Sequence, residues 1–158
     1  MQIDLYSQNN KKTIMSQSME LKIFIVDDDP FYLEILKQIT HNLGFESVTK
    51  YENGTACLNK LNEKPDVIFL DYKMDTLTGY DVLKKIKRYD PNIYVVMISS
   101  QEEVKPAIDT LKHGAFDYLQ KGDNDENEIK QVLEKIIKVK DLIKRSKPNF
   151  LKSIFKFL

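Results

Sequence analysis

The chain has 158 residues, 24 Lys plus Arg against 24 Asp plus Glu, and 42% hydrophobic residues. At this length about 68 to 70% of the unfolded chain's surface can be buried, so the composition excludes both a disordered polymer and a disulfide-stapled scaffold. A single cysteine, Cys57, cannot form an internal bridge, which fits a reducing compartment. No apolar run approaches the roughly 18 residues needed to span a bilayer, and no apolar stretch of a secretory signal follows Lys11 and Lys12. A cytoplasmic protein is expected. The zero net charge conceals a division, because Lys135 to Leu158 holds eight basic residues and one acid, a segment of +7 that leaves −7 on the rest.

Residues 1–19 are polar and aperiodic and read as a flexible N-terminal extension. From about Glu20, apolar runs of strand length alternate with helix-period stretches. Five strands are predicted, at Leu21 to Val26, Glu46 to Lys50, Val67 to Leu70, Ile93 to Ile98 and Phe116 to Leu119. The first helix opens on Asp29 as N-cap with Pro30 in its first turn, carries Phe31, Leu36, Ile39 and Leu43 on one face, and stops at Gly44. Further helices are predicted at Thr55 to Leu61, Gly79 to Tyr89, Glu102 to Lys112 and Glu126 to Arg145. Pro106 is compatible with the fourth because it lies near the first turn. Beyond Pro148, Phe150, Leu151, Ile154, Phe155 and Leu158 recur at helical spacing among lysines, so residues 147–158 read as a short basic amphipathic tail. The domain proper is 20–146.

Strands alternating with helices five times specify an α/β doubly wound parallel sheet, and apolar strands without alternation fit burial on both faces. Ligands of such sheets bind beyond the carboxyl ends of the strands. Here those ends carry Asp27, Asp28 and Asp29 after the first strand, Asp71 after the third, Ser99 and Ser100 after the fourth, and Lys121 after the fifth. In a flavodoxin-like strand order 2-1-3-4-5 the first and third strands are neighbours, so Asp28 and Asp71 can share a site. Clustered carboxylates need a cation or a lysine to offset their repulsion. Oxygen ligands with no His or Cys nearby favour Mg²⁺. The Asp71 carboxylate could then attack a phosphoryl group in line, with Mg²⁺ and Lys121 holding its oxygens, to form an aspartyl phosphate.

Four ordered motifs, IFIVDDDP, IFLDYKM with Gly79 eight positions beyond Asp71, VVMISS and GAFDYLQKG, are separated by 43 residues from Asp28 to Asp71, 28 from Asp71 to Ser99 and 22 from Ser99 to Lys121. With these motifs the chain resembles, over about residues 20–145, the receiver domain of two-component response regulators, in the chemotaxis-type single-domain form. The resemblance implies that Asp71 is the phosphoacceptor, that Asp28, Asp71 and the Lys73 backbone carbonyl ligate Mg²⁺, and that Asp27 acts on the ion through water. It further implies that Ser99 and Lys121 bind the phosphoryl group and that Tyr118 swings inward as Ser99 moves, biasing the face made by the fourth helix, fifth strand and fifth helix. Lys73 and Gln101 stand where family members tune the phosphoryl lifetime. Two positions depart from the pattern: Gly122 follows the lysine where proline is usual, and Asp75 replaces the proline that usually follows Met74.

The expected function is that of a stand-alone receiver that takes a phosphoryl group from a histidine kinase or histidine phosphotransfer protein and switches binding to a downstream protein effector. It would catalyse only its own phosphorylation and dephosphorylation. The alternatives are a phosphorylation-independent pseudo-receiver and a haloacid-dehalogenase-like phosphatase; the latter fits poorly, since Phe31 stands where its motif requires a hydroxyl. No Ser/Thr/Gly-rich phosphate loop for FMN follows the first strand. No specific nucleic-acid partner is expected. The tail is assigned an interaction role, with docking on the domain or in a homodimer ahead of partner-groove binding and of contact with an anionic membrane surface.

Overall fold

The computed structural model describes residues 21–100 and 104–155, with side chains described for 21–100 and 105–146. Five strands, β1 (Ile23–Val26), β2 (Val48–Tyr51), β3 (Val67–Asp71), β4 (Tyr94–Ser99) and β5 (Asp117–Gln120), form one parallel sheet of order β2-β1-β3-β4-β5. Five α-helices connect or follow them: α1 (Pro30–Asn42), α2 (Gly54–Leu58), α3 (Gly79–Tyr89), α4 (Val104–Lys112) and α5 (Asp125–Phe155). The helix expected over Thr55 to Leu61 ends at Leu58, and a separate 3₁₀ turn follows at Leu61–Glu63. This is the doubly wound α/β fold the sequence predicts.

Alternate residues of the strands face opposite layers, as a period of two requires. Ile23, Ile25, Val67, Phe69, Val96 and Ile98 pack against Tyr32, Leu33, Leu36 and Ile39 of α1 and against Ile129, Val132, Leu133, Ile136 and Ile137 of α5. Phe24, Val26, Ile68, Leu70, Val95 and Met97 pack against Cys57, Leu61 and the Val82, Leu83 and Ile86 stripe of α3. Both faces of the central strands are therefore dry, which is why these segments are continuously apolar.

Caps define the helix starts. Asp29 accepts from the Phe31 N–H, with Pro30 in the first turn, as predicted. Asn53 caps α2 and Thr78 caps α3. Gly44 and Gly114, both at positive φ, end α1 and α4 where the chain must leave the helix with left-handed geometry. On α1 the sequence reading chose the wrong aromatic: Phe31 is 74% exposed, and Tyr32 is buried with Leu36 and Ile39. The spacing 32, 36, 39 is the better helical stripe, and the adjacent Phe31 falls about 100° away from it. α5 runs beyond the expected Arg145, through Pro148, to Phe155. The N-terminal extension lies outside the described residues.

Candidate functional site

Parallel pairing lines up the carboxyl ends of the strands. Val26 is level with Leu70, Asp71 with Ile98, and Ser99 with Gln120. One step past each pair come Asp27 beside Asp71, then Ser99, then Lys121. Four chain segments far apart in sequence thus deliver their polar groups to one edge, because residues 21–120 wind so that every strand runs the same way.

Asp27, Asp28 and Asp71 each offer a carboxylate oxygen, and these oxygens lie within 4.8 Å of one another. Asp27 and Asp71 are buried, at 1% and 5% exposure, whereas Asp28 is exposed. Lys121 Nζ closes the cluster, 2.7 Å from Asp27 Oδ2 and 3.1 Å from Asp71 Oδ1. Asp27 Oδ1 also accepts the Asp29 N–H at 2.9 Å, so both oxygens of the deepest acid have donors. The Lys121 backbone is held too, its N–H donating to the Ser99 carbonyl at 2.9 Å.

One ammonium does not balance three carboxylates. Burial, reinforced by the charge of Asp27, pushes the Asp71 carboxyl up to about 6, against the opposing pull of Lys121. Burial works to lower the Lys121 ammonium, but its hydrogen bond to Asp27 and the charges of Asp71 and Asp27 outweigh it, and the net shift is upward. The lysine stays charged, and a deficit of positive charge remains. That deficit, with an all-oxygen donor set, fits a hard divalent cation such as Mg²⁺ held by Asp27, Asp28 and Asp71.

The remaining predicted residues take the following places. Ser99 is buried at the end of β4, while Ser100 is exposed. Tyr118 is half-buried against the layer of α2 and α3, and its buried hydroxyl finds no partner among the described residues. The Lys73 side chain is exposed, in the β3–α3 loop. Gly79 N–H donates to the Tyr72 carbonyl at 2.8 Å, folding that loop back onto the strand end. Gln101 lies outside the described residues. The Lys121–Gly122 peptide is trans, as all described peptides are. An open cavity of about 350 Å³ reaches the site from the side of Asp28, lined among others by Asn53, Met74, Asp75 and Leu77.

Two residues were missed. Tyr32 lies under the lysine, with Lys121 Nζ 4.3 Å from its ring centroid. Its hydroxyl donates to Asp125 Oδ2 at 2.7 Å. The 32/36/39 stripe could have revealed Tyr32, but nothing local could have paired it with a residue 93 positions away.

The response regulator receiver domain profile matches residues 23–144. The chemotaxis protein CheY of Listeria monocytogenes is 36% identical over 102 residues, covering 64% of this chain and 86% of that protein. CheY of Thermotoga maritima is 33% identical over 104 residues, covering 65% and 87%. Among solved structures, a response regulator receiver domain protein from Clostridium thermocellum superposes with a TM-score of 0.72 at 29% identity, covering 78% of this chain and 98% of that one. A chain of the CheX–CheY–BeF3–Mg²⁺ complex from Borrelia burgdorferi superposes with a TM-score of 0.69 at 27% identity, covering 73% and 88%. With this profile spanning every strand and the acidic edge at its expected place, the chain belongs to the response regulator receiver domain family.

Proposed function

We propose that this chain is a phosphorylation-operated switch in which Asp71 accepts a phosphoryl group from a phosphohistidine of a sensor kinase or phosphotransfer protein. The observation that carries this is the Lys121 ammonium bridging Asp27 and Asp71 at the strand edge. Asp28 and Asp71, with the Lys73 backbone carbonyl, are assigned to Mg²⁺, and Asp27 to the ion through water. When bound, the ion supplies charge neutralisation between carboxylate and phosphoryl oxygens. An Asp71 oxygen then forms the bond to phosphorus as the phosphorus–nitrogen bond breaks, and the imidazole nitrogen leaves with the electron pair.

Lys121 has a second part in this reading. Released from Asp71 as that carboxylate becomes an acyl phosphate, its ammonium turns to a phosphoryl oxygen, while Ser99 donates its hydroxyl to another. Tyr118, whose hydroxyl is unpartnered among the described residues, then has reason to change rotamer. The readout is assigned to the face of α4, β5 and α5, where Ile108 and Leu111 are each 45% exposed for a downstream protein. Lys73 and Gln101 are assigned to the phosphoryl lifetime. The relative in complex with BeF3 and Mg²⁺ supports the chemistry, since BeF3 is a mimic of a phosphoryl group. No helix among the described residues is long and apolar enough to cross a membrane. Similarity to the CheY relatives supports proposing a cytoplasmic location, and the proposed chemistry has no substrate but the protein's own aspartate.

Incubation with Mg²⁺ and acetyl phosphate, followed by intact-mass measurement, tests the assignment. Wild type is expected to gain one phosphoryl group, and Asp71→Asn none. No Mg²⁺-dependent gain in wild type, or an equal gain in the variant, overturns it.

A further inference from the structure

Lys121 reaches its two carboxylates from a loop that is tied down on the far side of the lysine. Asp125, the first residue of α5, accepts the Gly122 N–H on Oδ1 at 2.8 Å and the Tyr32 hydroxyl on Oδ2 at 2.7 Å. Its own N–H donates back to the Gly122 carbonyl at 3.3 Å. The Tyr32 ring, fixed in the layer between α1 and α5, lies under the Lys121 ammonium at 4.3 Å. The residues form a closed ring: Lys121 rests on Tyr32, Tyr32 is bonded to Asp125, and Asp125 is bonded to the peptide next to Lys121.

Each link depends on specific chemistry. The Gly122 N–H exists because this position is not proline. The Tyr32 hydroxyl is held protonated, its titration driven far above the ordinary tyrosine range by burial and by the Asp125 hydrogen bond, so it remains a donor. A carboxylate with two well-separated oxygens accepts both donors at once, which an alanine cannot do at all. The ring face attracts the ammonium, and water is largely kept out because Tyr32 is buried.

We infer that Tyr32 and Asp125 are positioning residues for Lys121: one is the platform that holds its ammonium over Asp27 and Asp71, and the other locks platform and loop together. The inference rests on the phosphoacceptor reading for its effect on rate, but the placement of Lys121 is measurable without it. A lysine 4.3 Å from an aromatic centroid has its ε-methylene signals displaced by the ring current. In the full-length protein labelled with ¹³C-lysine, that displaced signal is expected in wild type and Tyr32→Phe, and is expected to move toward the ordinary lysine position in Tyr32→Leu and Asp125→Ala. Assignment comes from its loss in Lys121→Arg.

In parallel, phosphorylation by acetyl phosphate at saturating Mg²⁺ is expected to slow roughly tenfold or more in Tyr32→Leu and Asp125→Ala, as for other misplacements of a reacting group by a fraction of an ångström to 1 Å. Tyr32→Phe, which keeps the ring, is expected to lie between these and wild type, and Mg²⁺ affinity by calorimetry is expected not to fall in any of them. Asp125 is half-buried at a helix start, so Asp125→Ala serves if Tyr32→Leu fails to fold. An unmoved Lys121 signal in Asp125→Ala, or wild-type rates in both variants, overturns the inference. So does a rate loss matched by an equal loss of Mg²⁺ binding. A wild type that takes up no phosphoryl group removes the functional reading alone, because the displaced lysine signal still reports on the clamp.

Discussion

Gly79 sits so close to Asp71 that a Cβ on it would lie 2.1 Å from the Asp71 carbonyl oxygen and 2.8 Å from Tyr72 Cα. Both obstacles are backbone, and backbone at the end of a central strand cannot step aside. The Gly79→Ala variant is therefore expected to lose about 2 to 3 kcal/mol in urea denaturation and to phosphorylate poorly, since relief of the clash must displace Asp71. Gly122→Ala is the control: nothing lies within 4 Å of a Cβ there, and its N–H is retained. It is expected to stay within about 0.5 kcal/mol of wild type. Equal stability of the two alanine variants would contradict the packing argument.

The charge deficit of the acidic edge predicts a pH dependence of stability in the absence of Mg²⁺. The Asp71 carboxyl is raised from 3.8 to about 6 in the folded chain, by burial first and by Asp27 second. Well below the unfolded value of 3.8 it is protonated in both folded and unfolded states and the burial penalty is absent, and near pH 4 the penalty is still small. As pH rises toward 6 the unfolded chain ionises first, so the folded state loses up to about 3 kcal/mol, and the loss is constant above that. In EDTA, Asp71→Asn is expected to match wild type near pH 4 and to be the more stable protein at pH 7. Added Mg²⁺ is expected to raise the unfolding midpoint of wild type much more than that of the variant. A stability difference that does not widen between pH 4 and pH 7 would rule this out.

Cys57 is fully buried between the sheet and α3, and burial alone pushes its thiol up to about 12. The thiolate is the reactive form, so alkylation should require unfolding. Iodoacetamide at pH 8 is expected to leave the native protein unmodified and to label it completely in urea. Labelling of native protein at the rate of a free thiol would mean that the α2 layer opens readily.

Among the described side chains, the last that α5 buries is Ile137, and Leu142 and Ile143 are exposed. Ending the chain after Ser146 leaves every described buried side chain of α5 in place, and is expected to change stability by less than about 1 kcal/mol and to leave phosphorylation intact. Any change in oligomeric state, partner capture or solubility on truncation would then belong to the basic end of the helix. Unfolding of the truncated chain would show that residues 147–158 belong to the domain.

How much of this was legible from residues alone differs between the sheet edge and its support. Asp71 follows an apolar run, VIFL, that can only be a central strand, and a central parallel strand must end at a shared edge; Asp27, Ser99 and Lys121 follow their own runs in the same way. Strand periodicity and topology are enough to bring them together. The same reasoning could not rank Asp27 against Asp28. Alternate residues point to opposite sides, so one acid became the buried partner of Lys121 and the other was left exposed to solvent, and only the packed structure decides which.

Equal numbers of acids and bases describe the chain without locating any charge. Sequence by itself determined the order of elements, the residues at the strand ends and the asymmetry between an acidic body and a basic α5, because those depend on local period and composition. Tertiary structure alone decided that one lysine bridges two buried acids, that a third acid beside them deepens the deficit of positive charge, and that Tyr32 and Asp125 meet across 93 residues beside that lysine. Such contacts depend on how α1 and α5 pack side by side on the sheet, and no local pattern encodes the distance between two helices.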